Sequence, residues 1–297
     1  MKKMNAADAS ELAQSSIEKF GFEPEHNFYY FMNNEEPSTA NLVMGLGNQK
    51  IILANSHGKC TSLFPSGILG PKEEHAKMLL AFCNYCLKEG AQEVTVEVRK
   101  SLLEDFNKII PKSIHIKSLD YEYGWPVISL KNFDTELKGP RYYELRKISS
   151  RFFKENKIEI CEAMQTDKHV LAKILAEWKK NRKSKDMSYP HEYEMWISTN
   201  FEGTDYAKCA FVNGKPCAIF CGWRIPNSNS FYLGVVLHNY KIREMGEILY
   251  LECFKNLKSM GFGFCNLGGS DSNLLNFKKK FLPEEIYETV EFTVERR

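Results

Sequence analysis

The sequence predicts an α/β protein with mixed α+β sheets, arranged as two similar halves. Three observations carry this reading. From residue 158 onward, apolar periodicity gives the order β-α-α-β-β-β-α-β-α-β, and the first half gives a similar order with weaker signals. Local wording repeats: Gly67…Leu87-Lys88-Glu89-Gly90 before a strand parallels Gly234…Leu257-Lys258-Ser259-Met260-Gly261 before a strand. The chain has 297 residues, enough for two domains, and its 43% hydrophobic and 26% charged composition excludes a disordered or collagen-like chain. The polar stretch Lys131 to Gly139 ends in Gly139-Pro140, which divides the chain into lobes 1–135 and 136–297.

In the first lobe, Leu12, Ile17 and Phe20 give Asp8 to Phe20 a weakly amphipathic helical stripe, ended by Gly21. Leu42 to Leu46 and Ile51 to Ala54 flank Gly47-Asn48 as a hairpin. Lys72 to Lys88 is a clearer helix, with Met78, Leu79, Phe82, Cys83, Cys86 and Leu87 on one face, Pro71 at its start and Gly90 at its end. Val94, Val96 and Val98 alternate as in a strand, Ser101 to Ile110 is helical, and Pro111 stops it. Two strand-like runs follow, Ile114 to Tyr123 and Pro126 to Leu130.

The second lobe opens with a linker helix, 141–155, whose Tyr142, Leu145, Ile148 and Phe152 line one face. Ile158 to Ala163 is strand-like. Thr166 or Asp167 caps a helix carrying Val170, Leu171, Ile174, Leu175 and Trp178. A basic loop (Lys179 to Asp186) leads to a short helix around Glu192 to Ser198. Asn213-Gly214 tolerates the positive φ of a tight hairpin turn between Cys209–Val212 and Pro216–Trp223. Then come a strand from Ser230 to Val236, a helix from Arg243 to Lys258, a strand from Phe262 to Leu267, a Gly268-Gly269 turn, a helix from Ser272 to Phe281 and a last strand from Tyr287 to Val294.

Composition removes several function classes. Forty Lys and Arg against 38 Asp and Glu give a net +2, so the chain is not coated in charge. Seven basic residues against two acidic ones between Lys138 and Lys157, and five more between Lys179 and Lys185, nevertheless suit a polyanion, or a solvated helix face. Nine cysteines with no secretory leader indicate reduced thiols and a cytoplasmic protein. Cys83-Asn84-Tyr85-Cys86 is a lone CxxC on an apolar helix face and reads as core; the scattered histidines offer no metal-ligand pair. The most apolar short run, Pro216 to Trp223, is far below the roughly 20 residues of a membrane span. No Gly-x-Ser-x-Gly or Cys-His arrangement argues for a covalent nucleophile.

Several stretches carry a family likeness. Asn266-Leu267-Gly268-Gly269-Ser270, then Leu275-Asn276-Phe277-Lys278 and Phe281-Leu282-Pro283, form a Gly-Gly-Ser…Phe-Lys…Phe-x-Pro block. Gly139-Pro140-Arg141-Tyr142-Tyr143-Glu144-Leu145-Arg146 with Ser150-Arg151-Phe152, the Leu175-Ala176-Glu177-Trp178 run and the Gly67-Ile68-Leu69-Gly70-Pro71 loop accompany it. With the element order, these resemble the GNAT (N-acetyltransferase) superfamily in tandem: the C-terminal catalytic domain of phosphatidylglycerol lysyltransferases and the Fem-type peptidoglycan aminoacyltransferases. The resemblance implies two GNAT lobes and transfer of an aminoacyl group, from aminoacyl-tRNA, to an amine or hydroxyl such as a phospholipid head group or peptide. A coenzyme-A-dependent N-acetyltransferase and a non-catalytic pair binding RNA or protein are the alternatives. An anionic phospholipid acceptor implies a cytoplasmic protein that can sit peripherally at the membrane surface.

The candidate site residues follow from that comparison. Arg243-Glu244-Met245-Gly246-Glu247-Ile248 is the nearest match to the acetyltransferase pyrophosphate loop. Arg243 and Gly246 fit an anion site at a helix N-terminus, whereas Ile248 stands where a small residue belongs and would crowd a phosphate. Gly268, Gly269 and Ser270 allow close backbone approach to a donor and a capped helix, with Lys278 directing positive charge at it; the plain alternative is a tight turn with a solvated lysine run. Tyr232, Tyr240 and Arg224 lie on or after the central strands. The tyrosines are candidates for proton transfer and Arg224 for holding a carboxylate or phosphate, or they are ordinary strand residues. Arg141, Arg146 and Arg151 form a candidate basic surface. No metal is expected, and the donor, coenzyme A or aminoacyl-tRNA, is a substrate.

Overall fold

The computed structural model describes residues 1–34, 39–182 and 190–297. The first half runs β1 (Lys2–Asn5), α1 (Ser10–Phe20), α2 (Phe28–Asn33), β2 (Ala40–Gly47), β3 (Lys50–His57), β4 (Cys60–Leu69), α3 (His75–Lys88), β5 (Glu93–Arg99), α4 (Lys100–Ile109) and β6 (Ile114–Ser129). The second runs α5 (Tyr143–Glu155), β7 (Ile158–Glu162), α6 (Lys168–Asn181), α7 (Pro190–Ser198), β8 (Tyr206–Val212), β9 (Lys215–Arg224), β10 (Ser230–His238), α8 (Met245–Ser259), β11 (Phe264–Asn266), α9 (Ser272–Lys278) and β12 (Glu285–Arg296). Among the described residues the strands join in one mixed sheet, ordered β1-β2-β3-β4-β5-β12-β6-β11-β10-β9-β8-β7.

Among the described strands two pairs are parallel, and they occupy equivalent places in the two halves. Cys60–Ser62 of β4 pairs with Glu93–Thr95 of β5, and Ser230–Tyr232 of β10 with Phe264–Asn266 of β11. Each pair is joined by a crossover helix, α3 or α8, as parallel neighbours require. Beyond these short contacts the partners separate, because β4 runs on to Leu69 and β10 to His238. Each long strand is irregular at its fork: β4 shifts register against β3, and β10 against β9 between Tyr232 and Val235.

The halves interlock. β12, the last strand of the chain, lies between β5 and β6, while β6 reaches across to pair with β11. Alternation explains the insertion. Val290, Phe292 and Val294 are buried and pack with Val94, Val96, Val98 and the apolar face of α3, including Cys83 and Cys86, while Thr289, Glu291 and Thr293 point the other way. A cut at 135/136 would therefore leave β12 bonded to two strands of the first half.

Helices cover both faces of each half. Leu42, Met44 and Ile52 face α3, whereas Val43, Ile51 and Leu53 face α1. Phe220, Phe231 and Leu233 pack with Leu145, Phe152, Leu249 and Phe254 of α5 and α8. Ile219, Cys221 and Val235 pack with Leu171, Trp178 and Trp196 of α6 and α7.

Most predicted elements form within a residue or two of their expected ends. Asn213 and Gly214 take positive φ (51° and 76°), as the hairpin requires. Asp167, not Thr166, caps α6 through its side chain. The differences have physical causes. Gly67–Leu69, expected as loop, belongs to β4, whose Pro65, Ser66 and Gly67 hide the alternation while bending the strand; Ser66 has φ 54°. The two runs around Gly124 are one strand, β6. β1 and α2 are too short to carry a period. α8 begins at Met245, because Glu244 adopts a left-handed conformation (φ 66°). In the predicted basic loop, Lys179 and Lys180 belong to α6, and 183–186 lie outside the described residues.

Candidate active site at the β10–β11 fork

Where β10 and β11 part, the chain turns through Leu267 to Ser270. Gly268 has φ 83°, which favours glycine. Gly269 lies against the indole of Trp125, so close that an added Cβ would stand 3.0 Å from the ring. Asn266 closes the turn by accepting from the Gly268 N–H at 2.9 Å while its Nδ2 donates to the Tyr287 hydroxyl at 2.9 Å. Asp271 caps α9 by accepting from the Leu274 N–H.

Lys278 reaches back from α9 beneath this turn. Its ammonium donates to the carbonyls of Leu267 and Gly268 (3.2 Å to the latter) and to the Ser270 hydroxyl (2.9 Å). Three N–H groups meet three acceptors, and the residue is only 3% exposed. Burial brings its pKa down to about 7. Lys278 is thus neither a solvated lysine nor a free charge; it holds the Gly-Gly-Ser turn from below.

Tyr232 stands over the same turn. A Cβ on Gly268 would lie 3.4 Å from the Tyr232 hydroxyl and 3.8 Å from the Lys278 Nζ. The tyrosine ring packs edge-on to Trp223 (4.9 Å) and tilted to Trp125 (6.2 Å). Burial, with Glu25 and Glu192 adding to it, raises its pKa well above the ordinary value, so it remains a neutral phenol able to donate a proton or hydrogen bond. The fork thus gathers Tyr232, Gly268, Gly269, Ser270 and Lys278.

The other candidates lie elsewhere. Arg224 ends β9 opposite Phe231, next to Tyr232 in the ladder, but its side chain is exposed, its guanidinium 4.7 Å from the Phe262 ring. Tyr240 is exposed and packs edge-on to His238 at 4.8 Å. Arg243 has a side chain 77% exposed, within 3.7 Å of the Glu244 carboxylate. Gly246 is buried beneath the Phe277 ring and His238, 3.2 and 3.3 Å from where a Cβ would stand. Glu244 lies at the start of α8 and Glu247 in its first turn; they pair with Arg151 and with Lys280 (2.7 Å for the latter). Two carboxylates and an aromatic ring therefore occupy the end of the helix where a pyrophosphate would bind, and these residues do not fit that group. The expected crowding by Ile248 has a different source, because Ile248 points into the core.

The three arginines of the linker are committed within the chain. Arg141 donates to the Asn132 carbonyl (3.0 Å), Arg146 to the carbonyls of Leu137 and Gly139 (2.6 Å to the latter), and Arg151 meets Glu244. Two open surface depressions, of about 210 and 380 Å³, lie away from the fork; Arg141 lines the first. Among the described residues no group of His, Cys, Asp or Glu is arranged to hold a metal, and no helix is long and apolar enough to cross a membrane.

A second polar cluster, not foreseen from the sequence, adjoins the fork where the halves meet. Arg99 donates twice to Glu23 (2.6 and 2.8 Å) and lies 3.8 Å over the Tyr287 ring. Tyr287 stacks on Trp125 at 5.7 Å, Trp125 Nε1 donates to the Thr289 hydroxyl at 2.8 Å, and that hydroxyl donates to Glu97 at 2.9 Å. Glu25 is buried beside them. The only sequence signal was acidic residues in otherwise apolar company.

Paired forks in one sheet, each with a crossover helix, define a GNAT-like fold. FemX superposes with a TM-score of 0.64 at 10% identity, covering 99% of this chain and 97% of that one. A tandem GNAT protein from the clavulanic acid biosynthesis pathway gives 0.58 at 9%, covering 98% and 96%. The C-terminal domain of a putative lysylphosphatidylglycerol synthetase from Agrobacterium fabrum gives 0.68 at 15%, covering 98% and 92%. The family described as phosphatidylglycerol lysyltransferase, C-terminal, matches residues 43–280, and the chain belongs to it. No curated protein matches the sequence.

Proposed function

We propose that this protein is an aminoacyltransferase of two GNAT lobes, with its reaction centre at the β10–β11 fork. It transfers an aminoacyl group from aminoacyl-tRNA to an amine or hydroxyl acceptor such as a phospholipid head group. The observation that supports this best is the turn at Gly268–Ser270, braced by buried Lys278 and faced by the neutral Tyr232 phenol, in a chain of the lysyltransferase family.

Aminoacyl transfer requires a stabilised oxyanion and a protonated leaving oxygen. Tyr232 can supply the second as a neutral phenol facing the turn, hydrogen-bonding the leaving oxygen and passing it a proton as negative charge develops there. Lys278 acts by positioning: it fixes the carbonyls of the turn, and so the backbone against which an ester would lie. The blocked α8 N-terminus favours a donor held without a coenzyme A pyrophosphate.

The test supplies the purified chain with a mixture of radiolabelled aminoacyl-tRNAs and vesicles containing phosphatidylglycerol, with acetyl-coenzyme A and an amine acceptor as the competing arm. Label moving into lipid, lowered about tenfold or more by Tyr232→Phe, is expected for a lost proton donor. Transfer from acetyl-coenzyme A with none from tRNA would overturn the donor assignment, and activity indifferent to Tyr232→Phe would overturn the site.

A further inference from the structure

Of the nine cysteines, Cys161 alone is exposed; Cys60 is half-buried and the other seven are buried. Cys161 lies on β7, the strand that ends the sheet and has β8 as its one strand neighbour among the described residues. In that antiparallel ladder Cys161 stands directly opposite Cys209. Opposite residues of an antiparallel pair project to the same face. Ile158 and Ile160 of β7 pack against the core beneath α5 and α8, which puts Cys161 on the other face, the one that α6 covers. There Cys209 is fully buried with Ala163, Leu171 and Ile174. The pair therefore spans the rim of the sheet: one thiol meets solvent, and the other lies in the core behind it.

The register suits a disulfide. Opposite Cα atoms of antiparallel strands are about 4.5–5.5 Å apart, inside the window of about 4.4–6.8 Å that a disulfide spans. A bond also needs the two Cβ atoms to close to about 3.5–4.5 Å, and β7, paired on one edge, is the strand with the least to hold it back. The two thiols differ in readiness. Thr166 donates its hydroxyl proton to the Glu162 carbonyl at 2.8 Å, so across the 3.1 Å to Thr166 Oγ1 it is the Cys209 thiol that donates. Burial also raises the pKa of Cys209. Cys161, open to solvent, is therefore the thiol that an oxidant meets first, with Cys209 placed to react second.

We propose that Cys161 and Cys209 form a reversible disulfide-forming modification site, oxidised by a low-molecular-weight disulfide such as oxidised glutathione. The Cys161 thiolate, its proton lost to solvent, attacks one sulfur of the oxidant. The oxidant's S–S bond breaks, a mixed disulfide forms on Cys161 and one glutathione thiolate leaves. Cys209 then loses its proton, attacks the Cys161 sulfur and expels the second glutathione. The two departing thiolates take up the two protons, so two cysteines are oxidised as one disulfide is reduced to two thiols. The loop closed by this bond contains α6 and α7, whose Leu171, Trp178 and Trp196 cover β8, β9 and β10. Oxidation thus fastens the edge strand and staples that helical layer to the sheet. The site stands whether or not the transfer reading does.

The test incubates the full chain, freshly reduced and dilute, with oxidised glutathione, blocks the remaining thiols with N-ethylmaleimide in denaturant and maps the peptides by mass spectrometry. Expected are the loss of two hydrogens, a linked peptide pair holding Cys161 and Cys209, seven blocked thiols, and reversal by dithiothreitol. Cys209→Ser should stop at a glutathione adduct on Cys161, and Cys161→Ser should lower disulfide formation at least about tenfold. Thermal unfolding should give a higher midpoint for the oxidised parent than for the reduced parent, with no such rise in Cys161→Ser. A lasting glutathione adduct on Cys161 in the parent, a bond from Cys161 to another cysteine or to a second copy, no reaction at Cys161, or an unchanged midpoint on oxidation would overturn the proposal. The mapping is made on the parent chain, so it decides the pairing even where Cys209→Ser does not fold. No turnover is read, so its failure is separate from failure of the transfer reaction.

Discussion

Replacing Lys278 with methionine should change the pH dependence of stability in a calculable way. Burial lowers the folded pKa to about 7, from an ordinary 10.5. Between those values the unfolded chain binds the proton and the folded chain does not, so stability rises with pH there; below about 7 both states are protonated and the cost of burying the charge is at its maximum. Integrating proton uptake from about pH 6 to about pH 8.5 gives ~2 kcal/mol of stability gained by the parent through this one amine. Lys278→Met keeps the stem and has nothing to titrate. Urea unfolding followed by tryptophan fluorescence, in reductant, at both pH values gives the difference between parent and variant, from which the buried thiols and tyrosines common to both cancel. The expected result is a difference that moves by ~2 kcal/mol in the parent's favour on raising the pH. A difference constant to within about 0.5 kcal/mol would refute the lowering of the Lys278 pKa to about 7 in the folded chain.

Three further outcomes follow from the geometry. The fragments 1–135 and 136–297 should each fail to give a cooperative unfolding transition alone, because β12 bonds to β5 and β6. Mixing or co-expressing them should restore one, and independent folding of either would show the exchange to be dispensable. Gly268→Ala should cost about 1 kcal/mol in thermal or denaturant unfolding, since alanine disfavours φ 83°, whereas Gly269→Ala should act through Trp125 and alter the near-ultraviolet dichroism of the indole. Arg99→Met strands the Glu23 carboxylate. With the guanidinium about one third exposed, a loss of about 2 kcal/mol is expected, largely recovered by adding Glu23→Gln.

The sequence was informative where a residue's local role and its global role coincide. Gly268, Gly269 and Ser270 could be singled out because a turn needs them in any context, and the α8 and α3 stripes because their apolar faces repeat within one helix. Lys278 was visible as a residue but not as a buried one. Its Lys278-Lys279-Lys280 neighbourhood has the composition of a solvated run, and only the return of α9 beneath the turn shows which of the three is enclosed. Arg141, Arg146 and Arg151 form a basic cluster in the one-dimensional count, yet each finds a carbonyl or carboxylate in its own chain. A charge total along the sequence cannot distinguish a phosphate ligand from a helix strap.

Strand exchange accounts for the part that was hidden. Trp125 comes from β6 and Tyr287 and Thr289 from β12, and these two strands have crossed between the halves. Their side chains meet Glu97 and Arg99 of β5 on one side and the Gly268–Ser270 turn on the other. No periodicity within either half can place Tyr287 beside Arg99, since nearly 190 residues separate strands that the sheet makes adjacent. The same exchange couples the fork to the acidic cluster, because Trp125 stacks on Tyr287 and packs against Tyr232. Substitutions of Trp125 should accordingly disturb aminoacyl transfer, whereas substitutions of Tyr240, which packs against His238 just beyond β10, should leave it unchanged.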